Sequence, residues 1–368
     1  MIRTPFINSP GPHHAGRARP LAVSLPLLVC AAVAACTQAD PPPSVAADST
    51  PPAAAAEGTA DGSSAQEPDY TLSADRTHNR FSRTIAPTLR VPSGAVVEVF
   101  TKEATDGQLS PESTADDLAA LDFDPIHPLT GPVYVEGAEP GDVLAVTLHE
   151  IELGDWGWAA VVPGFGFLAE EFPQPWLRTW RFEGGQDVVR FADGVELPLR
   201  PFPGVMGVAP ATDSLLVTIP PRANGGNMDN HHLVEGTTVY FPVFVPGALF
   251  SVGDTHAVQG DGEVSGTAIE APMRIVYEVN VVNEGRRIPE PQYETDDYYA
   301  VTAFATTLDE AAKKATRYMI DYLVEARGMH RTDAYVLCSL AGDLKISEVV
   351  DVPHVLVSMH MPKGIFTN

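Results

Sequence analysis

Cysteine is scarce in this chain of 368 residues, which has three: Cys30, Cys36 and Cys338. Cys30 and Cys36 fall in and at the end of a segment that reads as an export leader. Cys338 is then left alone in the body, and no intrachain disulfide can form there even in an oxidising compartment. Positive charge is scarce as well. Lys and Arg total 23 against 48 Asp and Glu, a net charge of −25, and the leader holds Arg3, Arg17 and Arg19 but no acid. So acidic a body argues against nucleic acid or anionic lipid as a partner. A G-x-S-x-G nucleophile elbow is missing. No convincing amphipathic helix appears between Tyr70 and about Thr306, which excludes a helical bundle or a βαβ sheet over that span.

What is present begins with the leader. The apolar run "PLAVSLPLLVCAAVAAC" follows the three arginines, is too short to cross a bilayer comfortably and ends in small residues, as a secretory signal does. Its end, Val33-Ala34-Ala35-Cys36, resembles a bacterial lipobox, in which the cysteine is acylated and becomes the mature N-terminus. Cleavage as an ordinary signal peptide at an A-x-A-like site nearby is the other reading, and both export the protein. Residues 1–35 are thus read as a lipoprotein signal peptide. Thr37 after the cysteine points to anchoring at the outer membrane where the cell has two. Residues 36–69, rich in Pro, Ala, Ser and acids, cannot bury a core and read as a disordered tether.

From 70 to 306 the punctuation is that of a β protein. Runs at 95–101 (AVVEVFT), 131–137 (GPVYVEG), 142–153 (DVLAVTLHEIEL), 214–220 (SLLVTIP), 237–245 (TTVYFPVFV) and 273–282 (MRIVYEVNVV) are β-branched and aromatic, with Gly, Pro, Asn and Asp between them. A mainly β sandwich or barrel is expected, with a C-terminal α/β part over 307–368 completing the same domain. That part opens with the capping box "TLDE", from which Leu308, Ala311, Ala315, Met319, Tyr322 and Ala326 recur at helical spacing until Gly328. A second helix is expected from a Thr332 cap to Gly342, then a strand near 354–361. Cys338 sits inside that apolar helix and reads as core packing.

The densest chemistry lies in "GDTHAVQGDGE" (253–263). If "FSVGDTHAV" is extended, Asp254 and His256 share one face and Thr255 the other. A carboxylate and an imidazole projecting together can share a metal ion, and Asp229, after a glycine pair in "PPRANGGNMDNHH", is a third candidate. Solvated loop charges produce D-x-H often, so the spacing alone decides nothing.

Four blocks carry a resemblance: "HPLTGPVYVEGAEPGDVL" (127–144), "PGFGFLAEEF" (163–172), "PPRANGGNMDNHHLVEGTTVYFPVFVPGALFSVGDTHAVQGDGEVSGTAIE" (220–270) and "DAYVLCSLAGDLKISEVVD" (333–351). In this order they resemble the motif blocks of the acetamidase/formamidase family, and the likeness runs from about Ser93 to Phe366. The resemblance implies hydrolysis of a short amide to a carboxylic acid and ammonia, on a mostly β fold with an α/β C-terminal part, as a homo-oligomer with a bound divalent metal.

Amide hydrolysis needs an activated nucleophile, oxyanion stabilisation and a proton for the departing amine. With no protein nucleophile evident, water must attack, activated by a metal at Asp229, Asp254 and His256. Zinc is the first choice for that ion, with calcium or manganese next. Glu136, after an apolar strand and before Gly137, is the expected proton carrier; the rival reading is a solvated turn. Gly225-Gly226-Asn227 could offer backbone N–H groups and an amide donor to the substrate oxygen, or form only a tight turn. Secondary candidates are Asp106 with Gln108, and His127 as a group orienting a carboxylate. Of the doublet His231-His232 at most one could be a ligand, since neighbours on a strand face opposite ways. Asp261 and Glu263 are expected to order the glycine loop or take a second, calcium-like ion. Trp156, Trp158, Trp176 and Trp180 cluster with several phenylalanines as wall or core, and "PGFGF" reads as a lid. The alternative to an amidase is a non-catalytic β-sandwich lipoprotein that grips a ligand through its metal.

Overall fold

A computed structural model describes residues 67–283, 285 and 287–367. The leader, the Cys36 lipidation site and the expected tether through residue 66 lie outside the described residues. Asp69 is tied to the body at both ends, its N–H donating to the Val96 carbonyl at 2.8 Å while its Oδ2 accepts from the Val96 N–H at 3.0 Å.

Two large sheets make up most of the described chain. The first runs Tyr70–Leu72, Ala95–Phe100, Met273–Val282, Val143–Leu153, Thr238–Pro242, Gln292–Glu294, Tyr298–Ala305, Val355–Pro362, Asp343–Glu348. One sheet therefore joins the first strands of the body to the last. In the second, Phe250–Val258 is central, paired with Phe202–Gly207, Leu129–Val135 and the short Ile269–Glu270. Gly225–Asn227 extends it beyond Phe202–Gly207, and Trp156–Val161 with Trp176–Arg181 extends it the other way.

The sheets share one core, with Val97, Leu144, Val146 and Ile275 from the first meeting Val133, Met206, Phe250 and Ile269 from the second. Phe250 stands edge-on to Tyr277 at 5.2 Å between ring centres. Burying side chains of this size contributes about 1.5–3 kcal/mol each, which is what alternating apolar strands supply. A second core lies under α1 (Leu308–Arg327) and α2 (Arg331–Ala341), where Ala311, Ala315, Met319, Leu323 and Cys338 pack on Val301, Val357 and Met359.

The helix signals were legible to the residue in α1: Thr307 accepts from the Glu310 N–H at 3.3 Å, and Gly328 ends it with φ 64°. In α2 the cap is His330, not Thr332, because the His330 ring accepts the Thr332 N–H at 3.3 Å. The apolar run at 214–220 forms only the two-residue strand Leu216–Val217. A six-residue 3-10 helix, Ala115–Ala120, interrupts the β body. No helix among the described residues is long and apolar enough to cross a membrane.

Candidate active site

The Phe250–Val258 strand places Asp254 and His256 on one face, with His256 Nε2 3.6 Å from Asp254 Oδ1. Thr255 points the other way, donating to the Ala271 carbonyl. Ile269–Glu270 pairs beside this strand with Glu270 opposite His256, bringing Glu270 Oε2 to 3.1 Å from the same Nε2. The other ring nitrogen is held: His256 Nδ1 donates to Gln259 Oε1 at 2.8 Å, and Gln259 Nε2 donates to the Asp229 carbonyl at 2.6 Å. Asp229 lies on that Nδ1 side, its Oδ1 3.8 Å away. The imidazole thus has Asp254 and Glu270 at one nitrogen and Asp229 beside the other.

Local backbone explains the crowding. Asp229, Asp254 and Glu263 have φ of 37°, 49° and 44°, the left-handed region that L residues avoid and that tight functional sites hold at a cost. Gly204 on the neighbouring strand is required by approach alone. A Cβ there would lie 2.5 Å from Asp229 Oδ1 and 2.7 Å from His256 Cε1.

These groups floor a cavity of about 60 Å³ walled by Ile126, Trp158, Val162, Phe165 and Ile219, with Asn227, Glu263 and Asp351 on its polar side. A buried water occupies on the order of 10–15 Å³ by this measure, so the space suits a handful of waters or a substrate of a few heavy atoms. Trp158 is fixed by donating its Nε1 to the buried Glu103 at 2.9 Å.

The carboxylates are far from their ordinary state. Burial pushes Asp229, Glu263 and Asp351 up, with neighbouring carboxylates adding to the shift at each. Glu270 is pushed up to about 7 and Glu348, behind Asp351, to about 8, both chiefly by burial. Burial opposes charge at Asp254 too, yet the imidazoles of His127 and His256 hold it below its usual value. His256 is raised well above an ordinary imidazole because Glu270 and Asp254 outweigh its desolvation. Buried charges on this scale are costly unless paired or bound to a metal. Asp229 Oδ1 and Glu270 Oε2 are buried with no hydrogen-bond partner. A divalent cation answers both observations, so the donor set fits one. Within the cleft, among the described residues, His256 with Asp254 and Glu270, and His256 with Asp229 and Glu263, are groupings close enough to share an ion.

The sequence candidates are distributed unevenly. Asp229, Asp254, His256, His127, Asn227 and Glu263 all line the cleft. Glu136 does not. It is exposed at the far end of Leu129–Val135, where Gly137 (φ 84°) turns the chain toward solvent instead of inward. Asp106, also at positive φ, faces Lys102 at 2.5 Å, and its neighbours Ala104 and Thr105 line the cleft in its place. Gly226 pairs with Met206 and is no part of the wall. The Asn227 amide N–H is already given to Asp351 Oδ2 at 2.7 Å, which leaves its buried Oδ1, an acceptor, without a partner. His127 Nδ1 stands 3.6 Å from Asp254 Oδ2. Of the tryptophans only Trp158 lines the cleft; in "PGFGF", Phe165 turns in and Phe167 is exposed. Sequence reasoning passed over Glu270 and Asp351, although each ends one of the motif blocks as an acid beside an apolar pair.

The family model for acetamidases and formamidases matches residues 66–217 and 214–368. An acetamidase of Mycolicibacterium smegmatis is 32% identical over 269 residues, 56% of this chain and 66% of its own length. The crystal structure of an acetamidase from Bacillus halodurans is 35% identical with a TM-score of 0.76, covering 80% of this chain and 98% of that one. A gamma lactamase from Delftia acidovorans is 28% identical with a TM-score of 0.58, over 81% and 94% of the two chains. The chain belongs to the acetamidase/formamidase family and is an amidase, a hydrolase of carbon–nitrogen bonds other than peptide bonds.

Proposed function

We propose that the cleft hydrolyses a short linear amide of formamide or acetamide size to its carboxylate and ammonia, with a divalent metal held by His256 Nε2, Asp254 and Glu270. The observation that carries this is the convergence of unpartnered buried carboxylates on one imidazole at the floor of a cavity of about 60 Å³. A bound ion supplies a water of lowered pKa and polarisation of the carbonyl oxygen. The single imidazole favours zinc; the surplus of oxygen donors puts calcium or manganese next.

The chain's own residues do the rest. Gln259 holds the Nδ1–H of His256, so that Nε2 is the nitrogen offered to the ion. Asp229 flanks the same ring, and His127 orients Asp254. The free Oδ1 of Asn227 accepts an N–H of the substrate amide, and Asp351 fixes that orientation. Glu263 lines the cleft beside Asp229 and His256 and is the proton carrier: its carboxylate form, favoured when a cation is bound, would take a proton from the attacking water, and the acid so formed would return it to the departing nitrogen. Trp158, Phe165 and Ile126 keep bulk water and larger acyl groups out.

The test is ammonia release by purified protein from formamide, acetamide, a longer amide, a carbamate and a lactam, read with metal content. Fastest turnover of the smallest amides supports the reading. No ammonia from any of them would leave the cleft as a ligand-binding site. The gamma lactamase neighbour favours a cyclic amide as the second reading, and the lactam in the panel addresses it.

Export as a lipoprotein acylated at Cys36 is part of the same proposal, supported by "VAAC" after the arginine-flanked apolar run. Cys36→Ser should then release the protein from the membrane fraction or leave its leader uncut. A homo-oligomer is proposed as well. Its support is the exposed apolar set Tyr335, Leu340, Leu344 and Ile346 on α2 and the adjoining edge strand, and light scattering measures it.

A further inference from the structure

Outside the cleft, His231, His232 and Asp261 converge. His231 Nε2 lies 2.9 Å and His232 Nε2 3.4 Å from the same oxygen, Asp261 Oδ1. The sequence expectation that adjacent histidines must face apart fails here because the doublet sits in a turn, not a strand. Asn230 Oδ1 accepts the His232 N–H at 3.2 Å and the Asn230 carbonyl accepts the Leu233 N–H at 2.9 Å, a fold-back that brings the two rings within 4.1 Å, tilted by 42°. Both Nε2 atoms are buried, and neither is aligned for a hydrogen bond with the oxygen it approaches. Two buried ring nitrogens and a carboxylate oxygen within 4.8 Å of one another, with no aligned hydrogen bond at either nitrogen, form the donor set of a metal ion.

We infer that His231, His232 and Asp261 form a second metal site, distinct from the cleft, that takes a zinc-class divalent transition ion. The spacing selects the class. Ligands about 2.0–2.1 Å from a tetrahedral ion lie roughly 3.3–3.4 Å from one another, which the 3.4 Å pair meets and the 2.9 Å pair reaches by a small opening, whereas calcium needs six to eight oxygens at longer range.

The position gives the site a structural role. His231 and His232 follow Asp229 by two and three residues, and Asp261 precedes Glu263 by two. An ion there clamps the two segments that carry those cleft carboxylates, from their outer side. The inference does not depend on the amidase reading.

The full chain, loaded with zinc and dialysed against metal-free buffer, should lose one ion per chain on His231→Ala, His232→Ala or Asp261→Asn. The loss should be the same in a His256→Ala background, and the double variant His231→Ala/His232→Ala should lose no more than either single one. Unchanged stoichiometry in the folded variants would overturn the site. Should the variants fail to fold, anomalous scattering at the zinc edge from wild-type crystals decides it. A peak among the three side chains supports the site; a zinc-loaded crystal without one refutes it.

Discussion

Replacing Gly204 with alanine adds one methyl group at the point where the cleft is tightest. The new Cβ would lie 2.5 Å from Asp229 Oδ1, 2.7 Å from His256 Cε1 and 2.8 Å from the Asp254 carbonyl oxygen. Ordinary contact begins near 3.4 Å, so the ring and the Asp229 carboxylate must each retreat by roughly 0.7–0.9 Å, or the Phe202–Gly207 strand must shift instead. Forcing a methyl into a filled interior costs about 1–3 kcal/mol of stability. Metal ligation tolerates about 0.2 Å, and a misplacement near 1 Å can lower catalysis about 100-fold. Gly204→Ala should therefore stay folded, lose most of the cleft metal and release ammonia at least about 100-fold more slowly. Gly184→Ala is the control, since a Cβ there meets nothing within 4 Å and should change neither quantity. Full activity and metal content in Gly204→Ala would refute the packing argument and with it the assignment of His256 to the reacting centre.

Three further outcomes follow from the same geometry. Glu263→Gln should lower kcat by at least about 100-fold with metal retained, as for loss of a proton carrier, while Glu136→Gln, on the exposed turn, should change it less than about threefold; the reverse ranking would return the role to Glu136. Burial holds His78 down at about 4, against about 6.5 unfolded, so its contribution of at most about 3 kcal/mol is present above pH 6.5 and is lost as pH falls toward 4. Denaturant titration across that range should show the loss, and a flatter profile in His78→Gln identifies the group. Burial pushes the Cys338 thiol up to about 11, so Cys338→Ala should keep its ammonia release, and abolished activity would reinstate a cysteine nucleophile.

Where local pattern decides structure, the sequence was readable. Met273–Val282 and α1 come out with the bounds their spacing implies, and the Asp254–His256 pair shares a face because strand alternation requires it. At the site the pair, Asp229, His127, Asn227 and Glu263 were readable as cleft residues, but not their mutual arrangement. Glu136 looked equivalent to a catalytic acid because a carboxylate after an apolar strand points either way, and the turn at Gly137 decides the direction. Glu270 is brought in by the register of the pairing that sets it opposite His256, and Asp351 by Asn227 reaching it across 124 positions, and no spacing rule encodes either. The left-handed backbone at Asp229, Asp254 and Glu263 is equally invisible in residue type. The His231-His232 doublet escapes strand alternation because its residues form a turn.

The most direct test is ammonia release from formamide and acetamide by the purified full chain as isolated, after removal of metal by a chelator, and after zinc is restored. Activity that disappears with the ion and returns with it, and that is absent in His256→Ala at every stage, is the expected result. Undiminished ammonia release from the metal-free protein would contradict it.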